Sequence, residues 1–197
     1  MGLVYGYDVY LRPGNVARVL SRLAELAPAD RGVPPLEVTL PGGDRVVVPF
    51  ASGFKSGSVD CSAGGTLGLD TSLLFDVDEV LREYAQQSGS GLEADGRVRV
   101  GYVYVTVRFV SLLHPGYASV ECWAATSGMS RLFAQSAGVR TVFTGLAAGS
   151  GGVCCLFDTG DGGPEQVCWL NGEIVREMVG GHRFPDRQAL VATWPGP

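Results

Sequence analysis

The run Arg97-Val98-Arg99-Val100-Gly101-Tyr102-Val103-Tyr104-Val105-Thr106-Val107-Arg108-Phe109-Val110 decides the fold class. Val103, Val105, Val107 and Phe109 fall on one side, and Tyr102, Tyr104, Thr106 and Arg108 on the other. That period of two is what a β-strand imposes on successive side chains. A turn at His114-Pro115-Gly116 and a second β run from Tyr117 to Thr126 follow, so the stretch reads as a hairpin whose first strand is central in a sheet.

Upstream of it, Leu3 to Leu11 reads as a strand with Tyr5, Tyr7 and Val9 on one side and Asp8 and Tyr10 on the other. Pro13 suits a first helical turn, and Val16, Val19, Leu20, Leu23 and Ala27 continue at helical spacing until Pro28. Leu36–Leu40 and Arg45–Phe50 form a hairpin around Pro41-Gly42-Gly43-Asp44, with Val38 expected opposite Val47. Ala51 to Gly65 lacks periodicity and reads as a loop. Thr66 to Phe75 is strand-like; Asp76 then caps a helix carrying Val77, Val80, Leu81 and Tyr84 that stops near Gly89, before a polar linker over 88–96.

Downstream, Ser127 caps a helix with Met129, Leu132 and Phe133, and Val139, Val142, Phe143 and Leu146 mark a second stripe. Val153–Phe157 and Gln166–Leu170 read as a hairpin that, paired symmetrically, sets Cys155 against Cys168. A short element is expected around Glu173 to Val179. The order predicts an α+β fold: a mixed, largely antiparallel sheet with helices mainly on one face, a ferredoxin-like βαββαβ unit followed by a βαββ half-unit. Residues 1–184 are expected to form a single α+β domain, divisible at 1–96 and 97–184, with 185–197 a loosely held tail.

Composition narrows the function classes. A net charge of -5 with scattered basic residues argues against nucleic acid, whose backbone demands a concentrated basic surface. No apolar run approaches the roughly 18–20 residues that cross a bilayer, and Met1-Gly2-Leu3-Val4-Tyr5 carries no basic leader, so a cytoplasmic protein without membrane contact is expected. Lys55 is the only lysine, Ile174 the only isoleucine, and Asn15 and Asn171 the only asparagines. Their shared AT-rich codons imply a high-GC bacterial genome. The five cysteines are odd in number and sit mostly in apolar strands, where they read as small buried hydrophobes; no metal and no cofactor is expected.

The chemistry-bearing residues are few. The loop from Ala51 to Gly65 gathers Lys55, Ser56, Ser58, Asp60 and Cys61. Lys55-Ser56 fails as a phosphate loop because Phe54 replaces the required glycine, and Asp60 beside Cys61 raises the thiol pKa. A solvated loop accounts for the same residues. His114 and His182 have no neighbouring triad pattern, and Ser127-Gly128-Met129-Ser130 is sufficiently explained as a helix cap.

Leu156-Phe157-Asp158-Thr159-Gly160 resembles the catalytic signature of aspartic proteases, which implies a second Asp supplied by a homodimer. The Asp-Gly-Gly-Pro that follows is equally what an exposed hairpin turn looks like. Arg99 to Val105 partly resembles the base-stacking strand of RNA-recognition domains, but as a fourth strand in an acidic chain its Tyr102 and Tyr104 read as a packed or interaction surface. Tyr5-Gly6-Tyr7-Asp8-Val9-Tyr10-Leu11 and Trp169-Leu170-Asn171-Gly172 resemble uncharacterised actinobacterial proteins, which implies origin and no chemistry. The expectation is a non-catalytic binding protein for another protein or a small ligand, as a homodimer through its tyrosine-bearing face. The alternative is a small hydrolase using the loop 51–65 or Asp158, with Asp60, Cys61 and Asp158 as the candidate catalytic residues.

Overall fold

In the computed structural model, which describes residues 2–28, 34–53, 57–89, 92–160 and 162–196, the first strand, β1 (Gly6–Leu11), stands at the centre. A short 3-10 turn at Pro13–Asn15 leads into α1 (Val16–Glu25). Then come β2 (Leu36–Thr39), β3 (Arg45–Val48), β4 (Ser58–Asp60), β5 (Thr66–Phe75) and α2 (Glu79–Ser88). The second half holds β6 (Val98–Arg108), β7 (Ala118–Ala124), α3 (Ser127–Gln135), α4 (Ala137–Gly149), β8 (Gly152–Asp158), β9 (Glu165–Leu170), β10 (Glu173–Met178) and α5 (Arg187–Val191). Seven strands form one sheet in the order β10-β9-β8-β1-β7-β6-β5 with every pair antiparallel. A smaller sheet runs β3-β2-β4, with β2 and β4 parallel.

The fold is therefore α+β with a large antiparallel sheet, and three details differ from the sequence reading. The central strand is β1, not β6: all six β1 residues are buried, whereas β6 alternates because one of its faces meets solvent. β2 and β3 lie in the smaller sheet rather than beside β1, so the ferredoxin-like unit expected from the first half is not assembled from them. Residues on both sides of the 96/97 division share one sheet, since β1 runs between β7 and β8.

The helix side of the sheet is sealed by Tyr7, Phe75, Phe133 and Phe143, with Tyr7 stacked on Phe143 at 4.6 Å and donating from its hydroxyl to the Phe133 carbonyl at 3.0 Å. Helices α1 to α4 bury their apolar stripes here, and the smaller sheet adds Leu36, Val38, Val48 and Cys61. No helix among the described residues is long and apolar enough to cross a membrane.

Caps and registers also differ from expectation. Helix α2 is capped by Asp78, not Asp76, and α3 by Thr126, not Ser127. Gly89 ends α2 in the left-handed conformation, as its position predicts. Val38 faces Val46, one residue short of expectation, because the Leu40 N–H bonds the Asp44 carbonyl and closes a tighter loop. A bulge in the β8–β9 pair sets Cys155 against Trp169 rather than Cys168.

The far side of the sheet carries a second core. Tyr10, Cys154, Leu156, Val167 and Leu170 are covered there by Phe184, Leu190 and Trp194 from the C-terminal segment. Residues 185–196, expected as part of a loosely held tail, thus pack as a strap. The Tyr117 hydroxyl donates to the Pro195 carbonyl, Asn171 Nδ2 to the Thr193 carbonyl at 2.7 Å, and Arg187 makes a two-pronged ion pair with Glu165 at 2.5 and 2.8 Å. Its apolar residues Leu190, Val191 and Trp194 lie in and just after a helix of five residues, too short for a periodic stripe to announce them.

Candidate functional site

The strap covers only the β8–β9–β10 half of the far face, reaching across to Tyr10 and Tyr117. Among the described residues the half built by β5, β6 and β7 has no such cover, and its registers align side chains into rows across the sheet. One row runs Asp70, Tyr104, Trp123, Gly6, Asp158 and Glu165; the next runs Gly68, Thr106, Glu121, Asp8, Leu156 and Val167. Aromatic side chains thus border carboxyl groups contributed by four adjacent strands, β7, β1, β8 and β9.

Gly6 makes the first row possible. A Cβ there would meet the Trp123 indole and the Cys122 carbonyl at 2.8 Å, so the indole lies directly on the β1 backbone. The indole extends toward the turn after Asp158, where a Cβ on Gly160 would come within 4.0 Å of its ring. Tyr104 is 43% exposed and Tyr102 66%. Tyr102 adopts φ +59° where the β5–β6 register shifts, a left-handed conformation costly for a residue with a Cβ. The bulge keeps Val103, Val105 and Val107 inward while Val98 and Val100 also face the core.

Asp8 is the central polar residue of these rows. It is 7% exposed, and among the described residues its Oδ1 has no hydrogen-bond partner. Burial pushes its carboxyl well above the usual range, and Glu121, Asp158 and Glu165 push it further, with Arg187 opposing weakly. Two of these neighbours have cationic partners: Glu121 accepts from Arg108 Nε at 2.7 Å and from Ser119 at 2.9 Å, and Glu165 is held by Arg187. Asp158 accepts from the Gly160 N–H at 2.7 Å; desolvation raises its pKa despite that bond, and Glu165 opposite adds to the rise. Glu165 and Arg187 sit between two open hollows of about 590 and 690 Å³, of which Arg187 lines both and Glu165 the larger.

The buried Asp8 makes a stability prediction. Below about pH 4 folded and unfolded chains both hold its proton; as pH rises, the unfolded chain releases it first, so stability falls until the folded carboxyl ionises. Asp8→Asn removes that fall, and its amide can donate to the surrounding carboxylates. Denaturant titrations from pH 4 to 8 are expected to show a flatter profile and a variant more stable at pH 7 by about 1–3 kcal/mol, the cost of an unpartnered buried acceptor.

The residues expected from the sequence divide between two places. Lys55 and Ser56 lie outside the described residues. Ser58 and Asp60 are exposed on β4 in the smaller sheet; Asp60 accepts from the Ser62 N–H at 2.8 Å, and that bond holds its carboxyl below the ordinary value. Cys61 is buried in the helix-side core, and desolvation followed by Asp60 pushes its thiol up, which suppresses the nucleophilic thiolate. Tyr102, Tyr104 and Asp158 gather instead on the far face. His114 holds its own turn: its Nδ1 accepts from the Gly116 N–H at 2.9 Å, and its ring packs edge-on against Tyr117. The five cysteines are free and buried, Cys155 on the helix side and Cys154 on the strap side. Among the described residues no three His, Cys, Asp or Glu side chains are placed to hold a metal ion.

Asp8, Glu121, Trp123, Glu165 and Arg187 were not legible as a group, because their proximity depends on strand order. One signal existed: Asp8 is a lone charge inside the otherwise apolar and aromatic Gly6–Leu11. The chain matches no protein-family model, no curated protein and no solved structure.

Proposed function

We propose that this is a non-catalytic binding protein whose working surface is the uncovered half of the far sheet face, where it takes a small ligand or a protein partner. One observation carries the reading: Tyr104, exposed, and Trp123, partly buried, stand side by side across β6 and β7 at the border of a row of carboxyl groups. Aromatic faces next to directed polar groups are a common recipe for recognition, since they supply contact area with little loss of side-chain freedom. Free, buried thiols suit a reducing bacterial cytoplasm, and the scarcity of Lys, Ile and Asn supports a high-GC, actinobacterial source. The order β8-β1-β7-β6, with helices between β1 and β6 and between β7 and β8, supports a ferredoxin-like core into which β2 to β5 and α2 are inserted.

Chemical-shift mapping with a fragment library tests the site. Shifts are expected to concentrate on Tyr102, Tyr104 and the Trp123 indole, and Tyr104→Ser is expected to weaken binding by about tenfold, the contribution of one aromatic contact. If the chain self-associates through this face, sedimentation of a Tyr102→Ser/Tyr104→Ser variant shows monomer where the parent shows dimer. Shifts confined to the groove between α2 and α3, near Tyr84 and Arg131, would refute the assignment.

A second reading, a small hydrolase, is favoured by Asp158, whose carboxyl is raised by burial and stands opposite Glu165 across the β8–β9 hairpin, as suits a general acid. Turnover that Asp158→Asn abolishes while the fold persists would carry it.

A further inference from the structure

We propose that the carboxyl row around Asp8 is a receptor for a guanidinium or ammonium group, with Tyr104 and Trp123 as its aromatic wall. The inference rests on the binding reading above and names the chemical class of what is bound. Asp8 Oδ1 is a buried acceptor without a donor, on a residue more than nine-tenths enclosed, and such atoms are rare in folded proteins. The two cations nearby are committed elsewhere, Arg108 to Glu121 and Arg187 to Glu165. Among the described residues Asp8 and Asp158 are left without a cationic partner of their own, on adjacent strands one row apart. What completes this arrangement must bring donors and positive charge together.

A guanidinium does so in one rigid plane, with five N–H groups able to bridge two carboxylates, and both guanidinium and ammonium groups are attracted to tyrosine and indole faces. A bare metal ion fits worse, because no three ligating side chains converge among the described residues. Arrival of the cation favours the ionised form of Asp8, so binding releases a proton. The groups that bear on that proton are Glu121 from β7, Asp158 from β8, Glu165 from β9 and Arg187 from α5. Tyr10 and Cys154 face it as well, without charge near neutral pH because burial raises both, and Cys122 lies behind it on the helix side, likewise raised by burial.

The test is isothermal titration of the full chain with Nα-acetyl-arginine methylamide, its neutral citrulline isostere, and an arginine-bearing heptapeptide, in buffers of different ionisation enthalpy. Saturable binding of the arginine compound is expected, with proton release that the citrulline compound does not give. Replacing guanidinium by urea, or Asp8 by Asn, is expected to weaken binding by about tenfold or more, the worth of one charge-assisted hydrogen bond. A peptide tighter than the capped amino acid places the group on a protein segment; equal affinity places it on a free metabolite. Asp8→Asn keeps its fold by the stability argument above, so loss of binding there reports the site. Equal affinity for the arginine and citrulline compounds, or an unaffected Asp8→Asn variant, overturns the proposal. If fragments still shift Tyr104 and Trp123 in that case, the binding surface stands and only the ligand class falls.

Discussion

Ending the chain at Phe184 is expected to cost on the order of 5 kcal/mol or more and to leave a protein that is unfolded or loosely packed at 25 °C. The cut removes Leu190 and Trp194, each worth roughly 1.5–3 kcal/mol when buried. It also uncovers Tyr10, Tyr117, Leu156 and Val167, which form the apolar half of the far face. Glu165, 7% exposed at its side chain, loses the Arg187 guanidinium; removing one partner of a buried pair costs about 3–5 kcal/mol, and less here because Arg187 itself is half exposed. Carbonyl partners for Asn171, Tyr117 and Arg12 disappear as well. Against a typical total of 5–15 kcal/mol these losses decide the outcome. Trp194→Ala is the milder form: its ring lies 5.0 Å from both Tyr10 and Tyr117, and truncation is expected to cost about 3 kcal/mol. Guanidinium unfolding followed by far-ultraviolet circular dichroism measures both, and a shortened chain with undiminished stability would show that the strap is not part of the core.

The strap shows where sequence reading stops. Period and turn chemistry are local, so the β6 alternation, the Gly89 helix end and the hairpins could be read directly from neighbouring letters. What covers a strand's second face is not local. Tyr102 and Tyr104 alternate with valines because their side is open, so the alternation marks a one-sided strand and not the central one. The central strand instead reads Gly-Tyr-Asp-Val-Tyr-Leu, with large residues on both sides, because helices cover one face and the strap the other. Register failed for a related reason: one residue more or less in the Pro41–Asp44 turn, or a bulge near Cys155, moves every partner by a place. The candidate site inherits these limits. Asp158 was legible as an acid in a turn with Glu165 across its own hairpin, but Asp8 comes from a distant strand, and only the order β9-β8-β1-β7 brings it beside them.

Asp78 provides the second large effect, because one carboxylate caps two helices. Its Oδ1 accepts from the Leu81 N–H at 2.8 Å at the start of α2, while Oδ2 accepts from Ser136 Oγ at 2.6 Å and from the Gly138 N–H at 2.9 Å at the start of α4. Ser136 in turn caps α4 through the Val139 N–H. Gly138 is confined by this junction, since a Cβ there would meet the Asp76 carbonyl at 2.9 Å. Asp78→Ala removes two caps and the orienting bond to Ser136, so a loss of roughly 2–4 kcal/mol is expected at pH 7. Asp78→Asn keeps an acceptor at Oδ1 and should recover part of it. Desolvation pulls the Asp78 pKa upward, but the bonds from Ser136, Gly138, Leu81 and Val80 outweigh it and hold the carboxyl below its ordinary value. Its contribution is therefore fully present above about pH 4, where the unfolded carboxyl is already ionised, and is lost as pH falls through the lower folded value. Between pH 5 and 2 the parent protein should lose stability to acid more steeply than Asp78→Ala, the two curves converging at the acidic end. Parallel curves across that range would mean that the junction of α2 and α4 is held by packing alone.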